Sequence, residues 1–91
     1  MIVPAYNEEE TVELFYDAFA KVENQMDVEP ELIFVDDGSK DKTLVEIKKL
    51  QKLHEEIHYI SFSRNFGKEA ALYAGLQKAS GELVAVMDID L

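Results

Sequence analysis

Four short apolar runs, Met1–Val3, Leu32–Val35, Ile57–Phe62 and Leu83–Met87, alternate with three segments whose apolar residues recur every three or four positions. That alternation leaves few folds open to a chain of 91 residues. Runs this short read as strands, and the continuously apolar Leu32–Val35 and Leu83–Met87 suit parallel strands buried on both faces. The segments between them read as helices. Val12, Phe15, Phe19, Val22 and Met26 make one stripe, and Leu44, Ile47, Leu50 and Leu53 a second. A third, alanine-rich helix is predicted from about Gly67 to Ala79, with Gly81 as its stop. The order β-α-β-α-β-α-β implies a three-layer, Rossmann-like α/β fold with a parallel sheet and right-handed crossovers. The expected strand order is 3-2-1-4, which opens a crevice at the carboxyl ends of strands one and four, where the order reverses.

The helix ends can be placed by their polar residues. Glu8, Glu9, Glu10, Glu13, Asp17, Glu23 and Asp27 all fall in the first predicted helix, with Glu8–Glu10 in its first turn near the positive dipole end and Asn7 as a candidate cap. Asp41 or Thr43 is the candidate cap of the second, and Glu46 is spaced for a capping box with Thr43.

These acids account for much of a formal charge of −10, which argues against nucleic acid as a partner, since a polyanion calls for a basic face. The chain has no cysteine and therefore neither disulfides nor thiolate metal sites. Leu83–Met87 is too short to cross a bilayer, which takes about 20 residues, and Met1 leads into Ile2-Val3-Pro4 without a signal sequence, so a cytosolic location is expected. Asp36, Asp37, Asp88 and Asp90 differ from the helix acids because they follow apolar runs, where a carboxylate is costly unless paired or metal-bound. An acidic chain that binds an anionic diphosphate needs a cation between them, which points to Mg²⁺ or Mn²⁺.

The chemistry-bearing residues sit in four motifs: VPAYNEEE at Val3–Glu10, FVDDGSKD at Phe34–Asp41, SFSRNFGKEAA at Ser61–Ala71 and MDID at Met87–Asp90. Tyr6 could stack on a flat base, or be only a rim residue. In the second motif Gly38 suits a positive-φ turn, and Ser39 and Asp41 suit a helix start; one of the two adjacent acids could accept from a base N–H or a ribose hydroxyl. Asp88 and Asp90 could divide metal ligation and ribose or water contact between them. Arg64 and Lys68 flank a helix N-terminus, a natural anion site, although Arg64 could instead pair with a strand-end acid and stiffen its loop. His54 and His58, around Glu55 and Glu56, read as an exposed helix-end turn rather than a metal pair. Neither G-x-G-x-x-G nor G-x-x-x-x-G-K-[ST] is present.

Taken together and in this order, VPAYNEEE, VDDGSKD and MDID resemble the nucleotide-binding half of the GT-A fold in family-2 glycosyltransferases. SFSRNFGKEAALYAGL resembles a narrower group, the bactoprenol glucosyltransferases and dolichol-phosphate mannosyltransferase relatives. The resemblance covers residues 1–91 and only the N-terminal third or so of such an enzyme, so a fragment of a longer protein is expected, itself unable to transfer sugar and prone to self-association. It implies that Pro4, Ala5, Tyr6 and Glu8 line base and ribose, that Asp36 and Asp37 hold the base, and that Asp88 and Asp90 form the Asp-x-Asp pair, with Asp90 the metal ligand. Ile89 stands where relatives often carry alanine. The catalytic residues themselves, with the acceptor loop and the membrane helices of the narrower group, are expected beyond Leu91. The implied reaction is inverting transfer of a hexose, with UDP-glucose the expected donor, to a polyprenyl phosphate. Other readings remain at this point: a family-2 glycosyltransferase with a polysaccharide or other acceptor, a receiver-like signalling domain, which would need a further strand bearing a lysine, and a non-catalytic nucleotide-binding domain.

Overall fold

The computed structural model of the chain describes residues 1–25, 31–79, 86–87 and 89. Strands β1 (Ile2–Ala5), β2 (Leu32–Asp36) and β3 (Ile57–Ser61) alternate with helices α1 (Val12–Glu23), α2 (Thr43–Leu53) and α3 (Lys68–Lys78). The strands form one parallel sheet in the order β1-β2-β3, with Ala5 opposite Asp36 and Asp36 opposite Ser61. As the middle strand, β2 is buried along its whole length, which is why its sequence is apolar without alternation. On the other edge of β1, Ile2 makes an isolated parallel bridge with Val86, and the Met87 N–H donates to the Ile2 carbonyl at 3.1 Å. This is the side expected for strand four, of which residues 83–85 lie outside the described residues.

Successive side chains of the strands enter two different layers. Val3, Ala5, Leu32, Phe34 and Ile57 pack with Val12, Phe15 and Phe19 of α1 and Ile47 and Leu50 of α2. Ile2, Ile33 and Val35 point the opposite way and pack with Ala71 of α3. Right-handed crossovers account for the division: stepping from β1 to β2 to β3 puts α1 and α2 on one face, and the return toward β1 puts α3 on the other. Phe15 meets Phe34 edge to face, with ring centroids 6.0 Å apart. Across the second layer α3 comes so near the sheet that a Cβ on Gly75 would lie 2.5 Å from the Ile2 Cγ2.

Several expectations for the helices require correction. Helix α1 begins at Val12, and Glu8–Thr11 form a separate turn in which the Thr11 and Val12 N–H groups donate to the Glu8 carbonyl at 2.9 and 3.1 Å. Glu13, rather than Glu8–Glu10, is the acid of the first turn. Val22 and Leu53 leave their stripes for the surface, while Tyr16 is buried and donates its hydroxyl to Glu56 at 2.9 Å. The Thr43–Glu46 capping box does not form, because Thr43 is fully buried and engaged elsewhere. Met26, Asp27 and Gly81 lie outside the described residues.

Candidate functional site

At the carboxyl ends of the strands, three consecutive loops are joined side to side. The first seam links β1–α1 to β2–α2. Asn7 takes a left-handed conformation (φ 53°), accessible to asparagine, and does not cap α1. Its N–H donates to Ser39 Oγ and its Oδ1 accepts from the Lys40 N–H, both at 2.9 Å. The Glu8 N–H donates to Thr43 Oγ1 at 2.7 Å, and the Glu9 N–H to Asp41 Oδ2 at 3.3 Å. Thr43 completes the seam by donating both its hydroxyl and its N–H to Asp41 Oδ1. These bonds occupy the backbone of Glu8 and Glu9 and hold them beside the start of α2, which is why α1 starts late.

The second seam links β2–α2 to the β3–α3 loop, and Asp37 forms it. Its Oδ1 accepts from the Phe66 N–H at 2.8 Å; its Oδ2 accepts from the Gly67 N–H and from Asn65 Nδ2, both at 3.1 Å. Asn65 Nδ2 also reaches the Asp37 carbonyl at 3.1 Å. Gly38 is required here on two grounds. Its φ is +71°, and a Cβ would fall 2.1–2.5 Å from backbone atoms of Arg64 and Asn65. The neighbouring Asp36, 2% exposed, accepts from the Ser39 N–H at 3.2 Å and thereby closes the turn. Both adjacent acids therefore have places in the framework, and neither charge lacks hydrogen-bond donors.

A cleft of about 180 Å³ opens above these seams, lined by Pro4, Ala5, Tyr6, Glu8, Asp37, Lys68 and Ile89. The end of β1 reaches it through Pro4 and Ala5. Backbone groups alternate along a strand; the Met1 and Ala5 carbonyls accept from Ile33 and Asp37 of the β2 segment, whereas Ile2 faces Met87. Pro4 faces the Met87 side as well and, having no N–H, offers no donor there. Sites that enclose a small ligand run to roughly 300–1,000 Å³, and this cleft is smaller.

The residues expected from sequence are thus sorted. Pro4, Ala5, Tyr6, Glu8, Asp37 and Lys68 meet at the cleft, and Asp36 lies buried beneath it. Asp88 and Asp90 lie outside the described residues, although Ile89 between them is buried in the cleft wall. Leu91 also lies outside the described residues, and the catalytic groups expected beyond it fall on none of them. Arg64 stacks over Phe66, its guanidinium carbon 4.5 Å from the ring centroid; it is not among the cleft-lining residues, and among the described residues it forms no ion pair with Asp36 or Asp37. Asn65, which sequence reasoning passes over, holds the loop in its place. The available signal is an acid pair directly after a buried strand, where each carboxylate must find hydrogen-bond donors.

The electrostatics of the seams are set by hydrogen bonds. Burial alone would raise the Asp41 carboxyl above its ordinary value, but the bonds from Thr43 and the Glu9 N–H outweigh it and leave the group lowered. Away from the cleft, burial first and then the bond to Glu56 push the Tyr16 phenol up to about 12. His54 stacks on Tyr16 at 4.3 Å and His58 Nε2 lies 3.5 Å from Glu31. Among the described residues no group of three or more His, Asp or Glu side chains is gathered as a metal site.

Comparison with known proteins adds the lineage. CsbB of Bacillus subtilis is 46% identical over all 91 residues, which make 28% of its length. A protein of Escherichia coli K12 named prophage bactoprenol glucosyl transferase homolog is 42% identical over the same span, 30% of its length. The chain therefore spans less than a third of these relatives. The mannosyltransferase PcManGT from Pyrobaculum calidifontis, solved in complex with GDP-Man and Mn²⁺, superposes with a TM-score of 0.86 at 28% identity over 98% of this chain and 26% of that one. The α/β architecture thus matches the GT-A glycosyltransferases, and the profile of glycosyl transferase family 2 matches residues 1–91 from end to end; the chain belongs to that family.

Proposed function

We propose that residues 1–91 form the donor-binding part of an inverting, metal-dependent glycosyltransferase whose intact protein transfers a hexose from a nucleoside-diphosphate sugar, UDP-glucose foremost, to a polyprenyl phosphate at the cytosolic face of a membrane. The observation that carries the reading is the cleft at the ends of β1 and β2, with the central residue of Asp88-Ile89-Asp90 in its wall. Asp88 and Asp90 adjoin Ile89 in sequence, and carboxylate oxygens suit Mg²⁺ or Mn²⁺ with a diphosphate. A divalent ion so held supplies charge neutralisation for the departing diphosphate. The chain's own groups do the rest of the binding. Tyr6 offers a ring for a base, Pro4 and Ala5 an apolar floor, and Glu8 an acceptor for ribose hydroxyls. Lys68, first residue of α3, brings a cation and the helix N-terminus toward an anion. A polyprenyl phosphate is already an anionic nucleophile, so alignment matters more than proton removal. The acceptor class is taken from the name of the Escherichia coli relative, and the donor and ion classes from the ligands of the Pyrobaculum complex.

Calorimetry of the intact protein tests the site. UDP should bind only with Mn²⁺ or Mg²⁺, Asp90→Asn should abolish the metal requirement together with most of the affinity, and UDP-glucose with a polyprenyl phosphate should yield glycolipid. UDP affinity indifferent to both metal and Asp90 would overturn the metal assignment.

A further inference from the structure

We propose that Asn65 is a positioning residue for the donor: acting through Asp37, it locks the β3–α3 loop so that Lys68 and the start of α3 face the cleft. The proposal rests on the donor-site reading above and adds a residue to it. The loop is tied to β2–α2 in two independent ways. The Asp37 carboxylate accepts from Phe66, Gly67 and Asn65, and the Asn65 amide spans both the side chain and the carbonyl of Asp37. Separately, the absence of a Cβ at Gly38 lets the backbones of Gly38 and Arg64–Asn65 pass in contact.

A carboxylate offers about four acceptor sites, and three at Asp37 are taken by the loop, leaving about one for a nucleobase. The expected role of Asp37 as a direct base contact is therefore small beside its role as the anchor of the loop. Lys68 and Asp37 both line the cleft, and Gly67, whose N–H ends on Asp37, immediately precedes Lys68 and α3. The anchor thus determines where the α3 end of the anion site stands. Asn65 does not line the cleft, so its side chain can be altered without changing the lining.

The test uses the intact protein with Asn65→Ala and Asn65→Asp, the latter placing a second carboxylate against Asp37. UDP with Mn²⁺ is the calorimetric probe, donor KM and kcat are measured separately, and hydrogen exchange is followed at the Phe66 and Gly67 amides. Loss of a bond to a charged group predicts about tenfold weaker UDP binding and a matching rise in donor KM for Asn65→Ala, more for Asn65→Asp, with kcat changed about threefold or less. Exchange at Phe66 and Gly67 should accelerate while the β2 amides stay protected. Undiminished UDP affinity in either variant overturns the proposal, as does weakened affinity with Phe66 and Gly67 still protected. A wild-type protein that binds no nucleoside diphosphate overturns the donor reading itself, and the positioning role with it.

Discussion

Asp41 shows how much one side chain can organise when it meets donors from two loops. It accepts from the Glu9 N–H and from both donors of Thr43, so Asp41→Ala should cost about 1 kcal/mol, as loss of a helix-start acceptor generally does, read from the urea midpoint. Because its folded carboxyl is lowered from 3.8, its contribution is present above that pH and lost as pH falls below it through the folded value. The gap between wild type and Asp41→Ala should accordingly shrink on acidification past pH 3.8. Tyr16 titrates in the opposite sense. Its phenol is raised from 10.0 to about 12, so the stability it confers is full below pH 10.0 and disappears as pH rises to about 12. Removal of the bond to Glu56 by Tyr16→Phe should cost about 1 kcal/mol at neutral pH. Ultraviolet titration should find a tyrosine transition near pH 12 that is missing in the variant.

Among the elements, the loops are stiffened more than their polar sequences suggest, because each is fastened to the next along the edge of the sheet. Gly38 is the tightest point. Gly38→Ala would force a side chain into φ +71° and into the backbone of Arg64 and Asn65, with a cost of at least about 2 kcal/mol in chemical denaturation. Gly75 tests the α3–β1 packing instead. Alanine there would gain about 1 kcal/mol of helix propensity, but its Cβ would meet the fully buried Ile2 at 2.5 Å, and overpacking of about 1–3 kcal/mol should leave the variant less stable than wild type. A Gly75→Ala protein with a higher urea midpoint would show that α3 can move away from the sheet at little cost.

At the scale of the whole molecule, the cleft lies at the carboxyl end of β1, with Ile89 in its lining. Under the proposed function, this cleft supplies the donor side of a site whose acceptor side belongs to the rest of the intact protein. In-line alignment of two reactants contributes about 7–11 kcal/mol to such displacements, and half a site forgoes most of it. The 91-residue chain incubated with UDP-glucose, Mn²⁺ and a polyprenyl phosphate should therefore form no glycolipid, whereas the intact protein should. Sustained transfer by the short chain would mean that the catalytic groups lie within these residues.

Periodicity and chain order are enough to derive the parallel α/β architecture, the three helices and the motifs that gather at the carboxyl ends, because burial of an apolar face is a local signal repeated every two or three to four residues. Tyr6, Asp37 and Lys68 stand out in the sequence for a related reason, each following a strand or opening a helix, and together with Glu8 they line the cleft. What only the tertiary structure decided is what those residues hold. Local sequence suggests a cap at Asn7, which is instead a clip to Ser39 and Lys40; it offers Arg64 to an anion or to a strand-end acid, whereas the loop side chain that reaches Asp37 is Asn65. The partners stand 28 to 35 residues apart, Asn65 to Asp37 and Glu8 to Thr43. No pattern within a helix or strand encodes such pairs; they exist because a parallel sheet brings the ends of successive strands into register, and the unpaired backbone groups there must find donors and acceptors in one another.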